Sequence, residues 1–245
     1  MNVALLALWG CASDSRFEVR GAEPGTPLTP VVVADLDRPG SVRVRISDSR
    51  GVRELALDAL AEHHEIPLYG VRAGDALTLE LEAFDERRVF ASEELTTTVG
   101  ELPVDFPIVE VLASVPDRTE PGLRLLAATR VGSPYAAWSL ALDEAGEVVW
   151  ALANPSEVSD LRRTSSGKLV GIRDQVGIEM DPLGHLSTVW GPSVPEGMAP
   201  DVVVELGSNR LHHELFVLPG EQELLGLTVV KRDVPRFPCR YDAPT

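Results

Sequence analysis

Two stretches of this chain repeat a hairpin grammar. "SLALDEAGEVVWAL" (139–152) and "GIEMDPLGHLSTVWG" (177–191) each run apolar strand, Asp, Gly three residues on, second strand, Trp. Asp181 lies 38 positions after Asp143, and Trp190 lies 40 after Trp150. Between them, "SDLRRTSSGKLVGIRD" reads as another strand-turn-strand at Ser166-Gly167, and "HHELFVLPGEQELLGL" repeats that type at Pro219-Gly220. A single hairpin cannot bury its own apolar face, so hairpins recurring near 40 residues must stack on one another. This is the spacing of propeller blades. Residues 114–245 hold roughly three such units at ~40–45 residues each, fewer than the four to eight of a closed ring. The expectation is an incomplete β-propeller, with "RDVPRFPCRYDAPT" as an interrupted loop at its end.

Residues 17–113 have a different texture. In "SVRVRIS", Val42, Val44 and Ile46 alternate with Arg43, Arg45 and Ser47. In "ALTLELEAF", Leu77, Leu79 and Leu81 share one face. Period two means half-buried strands. "PVVVADL" (30–36) adds a strand joined to the next by a Pro39-Gly40 turn, "RAGD" is a tight turn, and "ASEELTTTVG" (91–100) closes the set. "GVRELALDAL" suits a strand best, with a short helix presenting Leu55 and Leu60 as the alternative. The pattern predicts an antiparallel β-sandwich of immunoglobulin or fibronectin type. Pro103, Pro107, Pro116 and Pro121 mark a linker into the second domain.

Composition narrows the class. A net charge of −16 argues against nucleic-acid binding, which needs a basic face. With 20 Gly and 19 Pro, turns abound. Cys11 and Cys239 make no disulfide framework. "MNVALLALWGC" resembles a lipobox, which would lipidate Cys11 and make residues 1–16 a signal and tether, although no Lys or Arg precedes the apolar run. At roughly ten residues the run is too short to span a bilayer. The implied location is exported and membrane-anchored, at the periplasm or cell surface.

The order of motifs is similar to the arylsulfotransferase family, the bacterial aryl-sulfate sulfotransferases. "IPLYGVRAGDALTLELEAFD" and "TTTVGELPVDFPIVEV" resemble its sandwich. "LALDEAGEVVWAL", "DLRRTSSGKLVGI" and "IEMDPLGHLSTVWG" resemble its opening blade, and "LHHELFVLPGEQELLGL" its His-His-Asp/Glu segment. Departures are Ala76-Leu77, where the family often has an aromatic, and "PGEQE" for its usual turn. The resemblance implies sulfo transfer from a phenolic sulfate donor to a phenol acceptor through a sulfo-histidine, without a nucleotide cofactor. It implies His212 and His213 as catalytic residues in oxyanion binding or acid/base work. Asn209, Arg210 and Glu214 are the substrate-binding candidates. The family's later histidines and arginine have no counterpart after His213, so the chain reads as a truncated member of doubtful competence. On a regular strand only one of the two histidines could face a site.

Competing readings accompany each residue. His63-His64-Glu65 repeats the triplet inside the sandwich, where a solvated loop or strand edge is expected. His185 falls in a turn and should be exposed. No further ligand is spaced to help either His pair hold a metal, so no metal or cofactor is expected. Trp138, Trp150 and Trp190 suit inter-blade packing, and Lys168, Arg162 and Arg163 suit solvated charge. "TSSGK" lacks the phosphate-loop spacing. The alternative function is a non-catalytic exported binding module.

Overall fold

The computed structural model describes residues 14–86, 88–115, 118, 120–129, 137–207, 210–218, 220 and 223–228. The apolar N-terminal run with Cys11, the candidate Asn209 and the C-terminal stretch lie outside them. The fold is all-β, as the alternation requires: every extended element among the described residues is a strand, and the sheets are curled, one as a half-barrel. No helix there is long and apolar enough to cross a membrane.

The described residues form two compact units. One takes the chain up to Thr129 together with Trp138–Ala153; the other takes Ala137 and the chain from Asn154 on. The division thus falls later than the proline-rich stretch at 101–121, whose described residues carry no strand.

In the first unit, β1 (Arg16–Arg20), β2 (Val31–Asp48), β3 (Gly51–Pro67), β4 (Ala76–Asp85) and β5 (Arg88–Thr98) make one antiparallel sheet. β2 is the spine. β3 pairs with one edge along its length, while β1 and β4 share the other edge. Val42, Val44, Ile46, Leu77, Leu79 and Leu81 are all buried, as their alternation predicts. On the opposite face Arg43 meets Glu82 and Arg45 meets Glu80 directly across the ladder. The ambiguous "GVRELALDAL" is strand.

Pro39-Gly40 is not a turn. β2 runs straight through it, and the register against β3 jumps on both sides of Gly40. Proline cannot donate to a ladder, so a bulge is the place a strand tolerates it. A Cβ on Gly40 would lie 2.7 Å from the Phe90 ring, so glycine lets that ring cover the bulge. His64 fills it from the other side. The ring is buried, with Nε2 2.8 Å from the Gly40 carbonyl and 3.2 Å from that of Ala61. Carbonyls only accept, so Nε2 carries the proton. The solvated loop or edge expected for the 63–65 triplet is therefore corrected for His64: it is a core residue that satisfies an opened ladder.

The same unit holds β6 (Arg124–Thr129), β7 (Ala137–Leu142) and β8 (Val148–Asn154), a three-stranded sheet. Trp138 is fully buried, edge-on to Phe106 at 4.9 Å between centroids. Arg72 of the "RAGD" turn donates through Nε and Nη2 to Asp143 at the β7–β8 turn.

The second unit opens with β9 (Val158–Arg163), β10 (Leu169–Arg173), β11 (Val176–Met180) and β12 (Leu186–Gly191), an antiparallel meander. β13 (Val202–Glu205) joins β12 in parallel. A separate hairpin, β14 (Leu211–Val217) and β15 (Leu224–Thr228), packs on this sheet through Leu211 and Leu215 against Val170 and Ile172.

The 38-residue repeat is realised bond for bond. Asp143 Oδ1 accepts the Ala145 and Glu147 N–H groups, and the Gly146 N–H returns to the Asp143 carbonyl. Asp181 Oδ1 accepts those of Leu183 and His185, and the Gly184 N–H returns to Asp181. Gly146 and Gly184 have φ of 82° and 90°, which side chains disfavour. Such Asx turns explain why Asp and Gly recur at this spacing. Asp181→Ala is expected to cost about 1 kcal/mol, the net worth of a hydrogen bond or two. Asp143→Ala should cost measurably more, because Asp143 also anchors Arg72. Thermal melts of the two variants rank them; equal losses would show the Arg72 contact to be idle.

Candidate functional site

β14 is held at two points, and the candidate histidines lie between them. The Leu211 N–H donates to the Gln175 carbonyl at 2.8 Å, and the Leu215 N–H to Asp160 Oδ2 at 2.7 Å. Leu211 and Leu215 are both buried. Against β15 the register passes from Leu211↔Thr228 to Leu215↔Gly226, so β14 carries two more residues than its partner. The surplus is thrown into a bulge at His212, His213 and Glu214, all exposed. His213 takes φ 66°, a left-handed conformation uncommon for residues with a side chain.

This bulge overturns the expectation that the two histidines point apart. Their rings are in contact, 3.7 Å between centroids and 88° between planes. Strand alternation fails because the backbone is not extended at His213. The pair forms one exposed double-imidazole surface. Arg210 is half-buried, and its carbonyl accepts the Thr228 hydroxyl at 2.9 Å. Glu214 is exposed within the bulge.

At the far end of β14 lies a feature the sequence reading missed. Arg162, expected as a solvated charge, is locked in place. Its Nε and Nη2 donate to Asp160 Oδ1 at 3.0 and 2.7 Å, and its guanidinium lies 3.9 Å from the Phe216 ring centroid. Asp160 thus holds β14 with one oxygen and Arg162 with the other. Its own φ is 52°. A groove of about 470 Å³ opens beside the stack, lined by Arg162, Arg163, Thr164, Phe216, Val217 and Leu218 among others. No signal in one sequence links Asp160 and Arg162 to Phe216, more than fifty positions on.

Lys168 is also engaged. Its Nζ lies 2.5 Å from Glu179 Oε1 and 3.2 Å from Ser187 Oγ, and Ser187 Oγ lies 2.5 Å from the same carboxylate oxygen. Burial opposes ionisation of Glu179, but hydrogen bonds from Lys168 and Ser187 outweigh it and lower its pKa. An ionised carboxylate so placed accepts from both the lysine and the Ser187 hydroxyl. The trio ties neighbouring strands of the sheet together.

The remaining candidates disperse. His63 is exposed; its Nδ1 lies 2.7 Å from Asp35 Oδ1, and that hydrogen bond raises its pKa. His185 is exposed, as expected, with Nδ1 2.9 Å from Asp181 Oδ2. Trp138 and Trp150 are buried, and Trp190 packs beside Leu211 and Leu215. Among the described residues no group of three His, Cys, Asp or Glu converges on a metal-sized space. In the first unit a groove of about 840 Å³ is lined by Arg72, Asp75, Phe106, Ile108, Val111 and Val148 among others, none of them a predicted site residue. No protein-family model matches this sequence, and a search of curated proteins returns no match.

Proposed function

We propose that the chain is an arylsulfotransferase-like protein, a β-sandwich followed by a partial propeller, whose His212–His213 pair handles the sulfo group. The observation that carries this reading is the paired imidazole bulge on β14, on the segment where the family resemblance expects functional histidine. The four-strand β9–β12 meander, with its Asx hairpin at Asp181, supports the propeller half.

Chemically, a neutral imidazole nitrogen is a nucleophile toward sulfur and a protonated one is an acid. In the transfer, a nitrogen lone pair forms the N–S bond as the S–O bond to the donor phenol breaks. The departing phenolate takes a proton. The acceptor phenol then forms a new S–O bond, breaks N–S and gives up its own proton. Two imidazoles in contact suit the supporting part of this work, one ring exchanging protons while the other donates N–H to sulfo oxygens; the imidazole that forms the N–S bond is one the resemblance places outside this pair. Arg210, Glu214 and Asn209 are the neighbours proposed to position the phenols. The lipid anchor at Cys11 and an exported location belong to the same proposal.

A second reading is favoured by the exposure of all three bulge residues and by their absence from the neighbouring groove. Transition-state stabilisation depends on exclusion of water. An open bulge suits a binding module better than a buried reaction centre.

Assay of 4-nitrophenyl sulfate with phenol as acceptor separates the two. Transfer predicts acceptor-dependent release of 4-nitrophenol, reduced ~100-fold or more in His212→Ala or His213→Ala. An inactive unmodified chain, or variants as active as it, would leave the binding-module reading standing alone.

A further inference from the structure

We infer that the groove beside the Arg162–Phe216 stack binds an aromatic carboxylate. The inference does not rest on sulfo transfer. A chain of net charge −16 repels small anions on average, so anion binding needs a local exception. The groove is one: Arg162 and Arg163 both line it, and of the two only Arg162 has its charge balanced among the described residues, by Asp160. Arg162 is oriented before any ligand arrives, through Asp160, whose other oxygen is tied to the β14 backbone. Arg163 is exposed and makes no ion pair among the described residues. Its planar fork matches the two oxygens of a carboxylate. The floor is apolar, made by Phe216, Val217 and Leu218, with Phe216 still 38% exposed beneath the guanidinium. A flat ring laid along Phe216 and the edge of Arg162 would bury that surface, and its carboxylate would then meet Arg163. The volume of about 470 Å³ lies in the range that takes small organic ligands.

Isothermal titration of the whole chain with 2-naphthoate tests the assignment, with 2-naphthol as the uncharged ring and acetate as the ringless anion. Saturable 2-naphthoate binding is expected, with each control ~tenfold weaker or more. Arg163→Gln, an exposed change that should leave the melting temperature in place, is expected to weaken 2-naphthoate ~tenfold. Phe216→Leu should weaken it too, while Arg45→Gln, on the outer face of the first unit, should not. Absence of saturable binding overturns the assignment, as does 2-naphthol binding equally well, or Arg163→Gln matching the unmodified chain. If Phe216→Leu does not fold, Arg163→Gln decides. The readout is binding and not turnover, so failure of the transfer assay leaves this result intact.

Discussion

Leu215→Ala is expected to destabilise the second unit by about 2–5 kcal/mol, the range for emptying a packed leucine site. Leu215 is only 2% exposed and, with Leu211, is the peg that seats the β14–β15 hairpin on Val170 and Ile172. The room is tight on all sides. A Cβ on Gly177 would stand 3.1 Å from both Leu211 Cδ1 and Leu215 Cδ2, and one on Gly226 2.9 Å from Leu211 Cδ2. Gly177→Ala should therefore also destabilise, by about 1–3 kcal/mol through overpacking. The two changes have opposite volume signs at one contact, so the double variant should lose less than the sum of the singles. Urea denaturation of the four chains measures the coupling. Strict additivity would mean that Gly177 and Leu215 do not share the space their geometry indicates. The functional corollary is that Leu215→Ala frees one end of the His212–Glu214 bulge, so imidazole contact and groove should loosen together.

The alternating runs were legible because their cause is local. Val42, Val44 and Ile46 must share a face of any extended strand, and so must Leu77, Leu79 and Leu81. Asp143 and Asp181 were legible for the same reason, since an Asx turn is written within five residues. What escaped was set by distant partners. Pro39-Gly40 looks like a turn until His64, far along the chain, is seen bonding the Gly40 carbonyl. Strand alternation points the histidine pair apart, but the strand is not regular at His213. The bulge depends on Gln175 and Asp160 gripping β14 at Leu211 and Leu215. Arg162 reads as solvated in the sequence because neither Asp160's second role nor the nearness of Phe216 follows from spacing. The candidate site was thus legible as residue types and not as geometry, and it is geometry that separates transfer from binding.

Removing the Asp48 carboxylate should cost about 2–3 kcal/mol at neutral pH and almost nothing near pH 2. The side chain is completely buried at the end of β2, where the chain turns into β3. Burial alone would favour its neutral form. Against that, Arg53 Nη1 lies 2.6 Å from Oδ2, the Arg50 N–H donates to Oδ1 at 2.8 Å, and Arg50 Nη2 lies 2.8 Å from Oδ2. The donors win, and the pKa falls from 3.8 to about 2. A carboxylate with a lowered folded pKa stabilises fully above its unfolded value and loses that contribution as pH falls through the folded one. Here the window runs from about pH 4 down to about pH 2, and the shift corresponds to roughly 2 kcal/mol. Breaking a buried pair can cost about 3–5 kcal/mol. The lower figure applies because Arg50 and Arg53 keep 28% and 32% side-chain exposure and can turn to water. Arg50 also donates to the Gly70 carbonyl at 2.6 Å, so Asp48 helps place the loop that carries Arg72. His63 has the opposite sign: its pKa is raised by Asp35, so whatever it adds is present at low pH and lost on raising it. That loss falls above its ordinary value of 6.5, outside the range in which Asp48 titrates. Stability of the unmodified chain and of Asp48→Ala, followed from pH 7 to pH 2, should give curves that converge only below pH 4. Curves that stay parallel throughout would mean that Asp48 ionises as it does in the unfolded chain, and that the arginines around it are held by something else.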